Sequence, residues 1–117
     1  MNQVNPKKLS VHALAEWLKD DAKHFVLVDV REEAELRLAP FPYDVIHLPL
    51  SDCSNWQDRL LQLLPEDKSI VVFCHAGIRS LNFSHWLLNQ NPVLEVWNLT
   101  GGIDAWSREI DSSVPFY

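Results

Sequence analysis

Ile70-Val71-Val72-Phe73-Cys74-His75-Ala76-Gly77-Ile78-Arg79-Ser80 reads as a buried strand that ends at a cysteine, a short loop, and the start of a helix. The apolar run is too short for a helix and almost continuous in β-branched and aromatic residues, the pattern of a strand covered on both faces. Phe25 to Val30 has the same character, and Leu94 to Leu99 and, more weakly, Asp44 to Leu48 complete the set of strand candidates. Between these runs the apolar residues change to helical spacing. Val11, Leu14 and Leu18 share one face after a capping Ser10, and Ser54-Asn55-Trp56-Gln57 has the form of a capping box ahead of Trp56, Leu60, Leu63 and Leu64. A third helix is expected from Arg79 or Ser80, burying Phe83, Trp86 and Leu87 and stopping before Asn91-Pro92. A fourth follows Gly101-Gly102 with Ile103, Trp106 and Ile110 at helical intervals. The two prolines of Ala39 to Tyr43 require an irregular connection.

Strands alternating with helices predict an α/β fold, with a central, mostly parallel sheet of about five strands flanked by helices on both faces. A chain of 117 residues suits one domain, taken here as residues 1–117. Its 47% hydrophobic and 22% charged residues fit a folded chain rather than a disordered one. A net charge of -6 disfavours nucleic acid and anionic lipid, and no basic cluster reverses that locally. Met1 to Pro6 lacks the basic start and apolar run of a secretory signal, and no apolar run approaches membrane-spanning length. The expectation is a soluble, cytoplasmic monomer that binds neither nucleic acid nor membrane. In that compartment Cys53 and Cys74 are free thiols.

A thiol where a buried strand ends stands at the crevice in which open α/β sheets bind ligands. The loop from Cys74 to Ser80 can converge its N–H groups on that sulfur, and the following helix adds its positive end, so an anion there is stabilised. His75, Ala76 and Ile78 lend backbone to this cradle. Gly77 supplies conformational freedom, Arg79 a permanent forked cation, and Ser80 a helix cap or a hydrogen bond. Cys74 is therefore the candidate nucleophile, with His75, Ala76, Gly77, Ile78, Arg79 and Ser80 as its binding loop. Cys53 has no such loop and reads as structural, with a resolving role as the alternative. The histidines lack ligand spacing, so no metal site is expected.

Cys74-His75-Ala76-Gly77-Ile78-Arg79-Ser80 resembles the active-site loop of rhodanese-like domains, Cys-x-x-Gly-x-Arg-Ser. Asp29-Val30-Arg31 is similar to that family's Asp-Val-Arg motif, Ile46-His47-Leu48-Pro49 to its His-Ile-Pro segment, and Gly101-Gly102-Ile103-Asp104-Ala105-Trp106 to its final Gly-Gly-x-x-Ala-Trp. The four segments occur in family order across nearly the whole chain. The Ile46 to Pro49 segment departs from the pattern twice: the usual glycine before His47 is missing, and so is the Gly-Ala after Pro49, where Leu50-Ser51 is expected to take another path. The resemblance implies transfer of a sulfane sulfur from thiosulfate or a persulfide to Cys74, and then to a thiophilic acceptor such as cyanide or a small or protein thiol, without a cofactor. Asp29 and Arg31 would support the loop. Two other readings of the same loop are a phosphatase or arsenate reductase, and a binding or redox-sensing module without turnover. The first sets five residues between cysteine and arginine, where this chain has four.

Overall fold

In the computed structural model, which describes residues 4–117, every residue of the central strand β4 (Ser69–Phe73) is buried. Ile70 and Val72 face one core together with Cys74, while Val71 and Phe73 face a second core on the opposite side. This two-sided burial is what the continuous apolar run requires. Residues Met1 to Gln3, on which part of the secretory-signal reading rests, lie outside the described range.

Five strands form the sheet in the order β1-β5-β4-β2-β3, with β1 at Lys7–Leu9, β2 at Phe25–Asp29, β3 at Ile46–His47 and β5 at Glu95–Leu99. Every pairing is parallel. Helices α1 (Val11–Lys19) and α6 (Gly102–Glu109) cover one face, where Leu14, Ile103 and Trp106 pack with Phe73. Helices α3 (Cys53–Trp56), α4 (Leu60–Leu63) and α5 (Ile78–Gln90) cover the other, where Trp56, Leu60, Phe83 and Leu87 pack with Val72 and Cys74. The parallel α/β architecture read from the sequence is thus the one observed. Among the described residues no helix is long and apolar enough to cross a membrane, and no group of three His, Cys, Asp or Glu side chains is arranged to hold a metal ion.

Several elements differ from the expectation. Ser10 does cap α1, accepting the Ala13 N–H at 3.1 Å, and α5 ends at Gln90, ahead of Asn91-Pro92. Residues 50–63 do not form one helix capped at Ser54. They form 3-10 turns at Leu50–Asp52 and Gln57–Arg59 alternating with α3 and α4, and Ser54 lies inside α3. The Trp56 indole N–H donates to the Pro49 carbonyl at 2.9 Å, which ties this segment to the end of the preceding loop. Two elements have no apolar periodicity to announce them: β1, and the short helix α2 (Glu33–Leu38), which has no buried residue. The first becomes the edge partner of β5, and the second proves to matter for the site.

Candidate active site

Cys74 directly follows β4, is 1% exposed, and has a sulfur that accepts from three donors. These are the Gly77 N–H at 3.1 Å, the Ser80 N–H at 3.4 Å and the Ser80 hydroxyl at 3.3 Å. The backbone reaches this geometry because Gly77 takes φ 98°, a left-handed conformation that a side chain opposes, and so turns the chain straight into α5. The helix accordingly begins at Ile78 rather than at Arg79 or Ser80, with Gly77 as its cap. Ser80 is then not a cap. Its buried hydroxyl has one proton to share between Cys74 and Asn98 Oδ1, the latter at 2.5 Å, and the Asn98 amide in turn donates to the Gly77 carbonyl at 3.1 Å.

The other side of the loop is gripped by the start of α6. Ile103 N–H donates to the Cys74 carbonyl at 3.0 Å and Asp104 N–H to the His75 carbonyl at 2.9 Å. Such close approach demands glycine at 102: with φ 60°, a Cβ there would stand 2.5 Å from both carbonyl oxygens. The Gly-Gly pair thus closes the back of the cysteine loop, while α5 supplies donors to its front. This division leaves the sulfur facing N–H and O–H groups, an arrangement that favours negative charge on it or on a group bound to it.

Charged side chains support one flank. Asp29 and Arg31, both fully buried, form a multidentate pair: Arg31 donates Nε to both carboxylate oxygens at 3.1 and 3.2 Å and Nη2 to Oδ2 at 2.9 Å. Burial opposes the Arg31 charge, but the bonds to Asp29 and Tyr117 more than offset it and raise its pKa. His47 donates from Nε2 to the Arg31 carbonyl at 2.7 Å, and Ser51 bonds Glu32 through its N–H and hydroxyl, so the Leu50-Ser51 path that departs from the family pattern is tied to the same flank. Arg79 does not extend freely. Its Nη1 and Nη2 each donate to Glu35 at 2.8 Å, and this bond, first among several causes, holds the Glu35 carboxyl down to about 2. A guanidinium has five donors, so Arg79 keeps three beyond this pair for a ligand. Glu35 also accepts from the Glu32 N–H at 2.8 Å and from the Tyr117 hydroxyl at 3.1 Å.

The loop residues thus divide. Cys74, Gly77 and Ser80 converge at the sulfur, and Arg79 is held by Glu35. Ala76 and Ile78 are exposed, with Ile78 at 71%, and the His75 ring stacks on Tyr117 at 4.2 Å between centroids and 16° between planes. Three residues of the assembly were not singled out from the sequence: Glu35, Asn98 and Tyr117. Glu35 had a local signal, since Glu32-x-x-Glu35 after a strand end has the spacing of a capping box. Asn98 is a buried polar residue within the apolar stretch Val96 to Leu99, whereas Tyr117 has no local signal.

Residues 10–109 match the Rhodanese-like domain family. A protein of Allochromatium vinosum named "Sulfurtransferase" is 33% identical over 108 residues, covering 92% of this chain and 90% of its own. The chloroplastic Rhodanese-like/PpiC domain-containing protein 12 of Arabidopsis thaliana is 36% identical over 91 residues, 78% of this chain, but the match spans only 30% of that longer protein. Among solved structures, a rhodanese-related protein of Thermoplasma volcanium superposes with a TM-score of 0.69 at 27% identity, covering 89% of this chain and 93% of its own. Motif order, parallel fold, cysteine loop and these likenesses agree: the chain belongs to the rhodanese-like domain family, whose members include named sulfurtransferases.

Proposed function

We propose that the protein is a sulfurtransferase that carries a sulfane sulfur as a persulfide on Cys74. The observation that supports this best is the three-donor cradle around the Cys74 sulfur, closed by a loop with only four residues before Arg79. The Cys74 thiolate attacks the outer sulfur of thiosulfate; a new S–S bond forms, the old one breaks, and sulfite leaves with the electron pair. A persulfide donor reacts in the same way and leaves as a thiolate. Cyanide or a small or protein thiol, as its thiolate, then attacks the terminal sulfur, the Cys74 S–S bond breaks, and the thiolate returns to its cradle. Gly77, Ser80 and the remaining donors of Arg79 hold the anionic group, His75, Ala76 and Ile78 shape the mouth, and Asp29 with Arg31 supports the loop from beneath.

The small ring suits a single sulfur atom better than a tetrahedral oxyanion, which favours sulfur transfer over phosphate or arsenate chemistry. Both reaction partners react without a metal or organic cofactor, and we place the protein as a monomer in a reducing compartment such as the cytoplasm. Incubation with thiosulfate or an organic persulfide is expected to add the mass of one sulfur atom at Cys74, and cyanide or a thiol to remove it. Absence of that adduct with every sulfane donor, or hydrolysis of a phosphoester instead, would overturn the reading.

A further inference from the structure

We infer that Tyr117 is a positioning residue for the cysteine site, fixing Arg79 through Glu35 on one side and the His75 ring on the other. The inference rests on Cys74 being the reacting group, as proposed above. The segment that delivers Tyr117 is itself anchored: Val114 is 4% exposed, its N–H donates to the Asp111 carbonyl at 3.2 Å, and the Ser107 hydroxyl of α6 donates to its carbonyl. Tyr117 arrives with both halves engaged.

The hydroxyl accepts from Arg31 Nη1 at 3.2 Å and donates to Glu35 Oε1 at 3.1 Å. Burial pushes the Tyr117 pKa up, so the group keeps the proton it donates. Through it the buried Asp29–Arg31 pair is coupled to the carboxylate that grips Arg79. Glu35 then has two donors on each oxygen: Arg79 Nη2 and Tyr117 on Oε1, Arg79 Nη1 and the Glu32 N–H on Oε2. A carboxylate so saturated has one orientation, and the planar fork of Arg79 follows it. Without the hydroxyl, Oε1 loses a donor and the Glu35–Arg79 unit gains freedom to turn. The ring acts separately, lying flat on His75, the residue next to the nucleophile, whose carbonyl α6 already holds. Tyr117 therefore touches both flanks of the sulfur without touching the sulfur.

Two substitutions separate the halves. Tyr117→Phe keeps the ring and removes the hydroxyl; Tyr117→Leu removes both. Steady-state sulfur transfer from thiosulfate is measured alongside solvent exchange of the Arg79 Nη–H groups that Glu35 accepts, followed by nitrogen-15 NMR. Loss of one hydrogen bond predicts that Tyr117→Phe raises KM for thiosulfate about five-fold, leaves kcat within about two-fold, and speeds Arg79 exchange by a similar factor. Tyr117→Leu is expected to add a fall in kcat of about three-fold to ten-fold through the lost His75 stack. Unchanged KM and unchanged exchange in Tyr117→Phe would overturn the inference, as would kinetic losses that merely track lost thermal stability. Should the wild-type protein transfer no sulfur, the exchange measurement still decides: faster Arg79 exchange supports positioning and unaltered exchange refutes it.

Discussion

Cys74 and Cys53 are both free thiols on the same side of the sheet, and they occupy opposite environments. Cys74 is buried, follows a strand buried along its whole length, and heads a loop that feeds a 13-residue helix with its first donors aimed at the sulfur. Cys53 is exposed, begins a four-residue helix, and lines a cleft of about 370 Å³ with Trp56, Phe83 and Trp86, which Arg79 also borders. No hydrogen bond to its sulfur is found among the described residues. Exposure alone points to Cys53, whereas the hydrogen-bond donors gather at Cys74. What equips a cysteine for anionic chemistry is the set of fixed donors supplied by the residues after it, a property of backbone path rather than of accessibility.

The strongest way to break this contrast is to remove each thiol in turn. Cys74→Ser is expected to abolish both the sulfur adduct and turnover, a loss of more than about a thousand-fold, as for removal of other catalytic nucleophiles. Cys53→Ser should leave both within about two-fold. Mass spectrometry after incubation with a sulfane donor makes the check, and an adduct found on Cys53 would invert the assignment.

Next in size is the buried Asp29–Arg31 pair, which bonds Tyr117 and the Glu35 carbonyl on one flank of the site. Asp29→Asn leaves the fully buried Arg31 guanidinium without its counter-ion and is expected to destabilise the fold by about 3 to 5 kcal/mol. Urea unfolding monitors this, with activity falling in step. A variant of normal stability that has lost all turnover would instead make Asp29 a direct participant in the chemistry.

Arg79→Ala comes third. It removes the cation at the rim while leaving the Gly77 and Ser80 donors in place, so the backbone cradle is tested alone. Losing one charge-assisted contact costs about 1.5 to 3 kcal/mol, so kcat/KM for thiosulfate should fall roughly ten-fold to a hundred-fold, and stability much less. Unaltered thiosulfate kinetics would show that Arg79 serves only its Glu35 partner.

The same division between backbone cradle and side-chain clamp explains what the sequence made legible. The three donors to Cys74 come from residues three and six positions along the chain, so a strand, a cysteine and a glycine-bearing loop are enough to anticipate them. Strands β2, β4 and β5 were legible for a related reason, since burial on both faces removes polar residues from most positions. The clamp is long-range: Tyr117 reaches Glu35 across 82 residues, and no local pattern reports that. Helix α2, which carries Glu35, buries nothing and so has no apolar stripe, and β1 exposes two of its three residues. In residues 50–64 the expected stripe of Trp56, Leu60, Leu63 and Leu64 does face the core, with Leu63 only partly buried, because packing enforces it. The expected cap does not form, because the Asp52 N–H donates to the Pro49 carbonyl at 3.0 Å and starts the segment as a 3-10 turn, which puts Ser54 inside α3.

The smallest effect sharpens the comparison most, because it weighs the side-chain clamp by itself. Arg79, above all, holds the Glu35 carboxyl at about 2 against an ordinary 4.5. A carboxyl with a depressed folded-state pKa contributes stability that is fully present above its unfolded value and is lost as pH falls from there through the folded value. Glu35→Gln cannot lose a charge that it does not have. Wild type is therefore expected to exceed Glu35→Gln in stability at pH 7, with the gap closing from about pH 5 downward and nearly gone at about pH 2. The Arg79 side chain of the pair is 39% exposed and that of Glu35 is 18%, so solvent screening reduces the gap to about 1 kcal/mol. Glu95, also held down to about 2 by Ser69, Trp97 and Lys7, contributes the same acid loss to both proteins and cancels in the difference. Urea unfolding of the two proteins between pH 2 and pH 7 measures it. A gap that stays constant over that range would mean that Glu35 acts through shape and neutral hydrogen bonds alone, and that the charge on Arg79 is left wholly to the substrate.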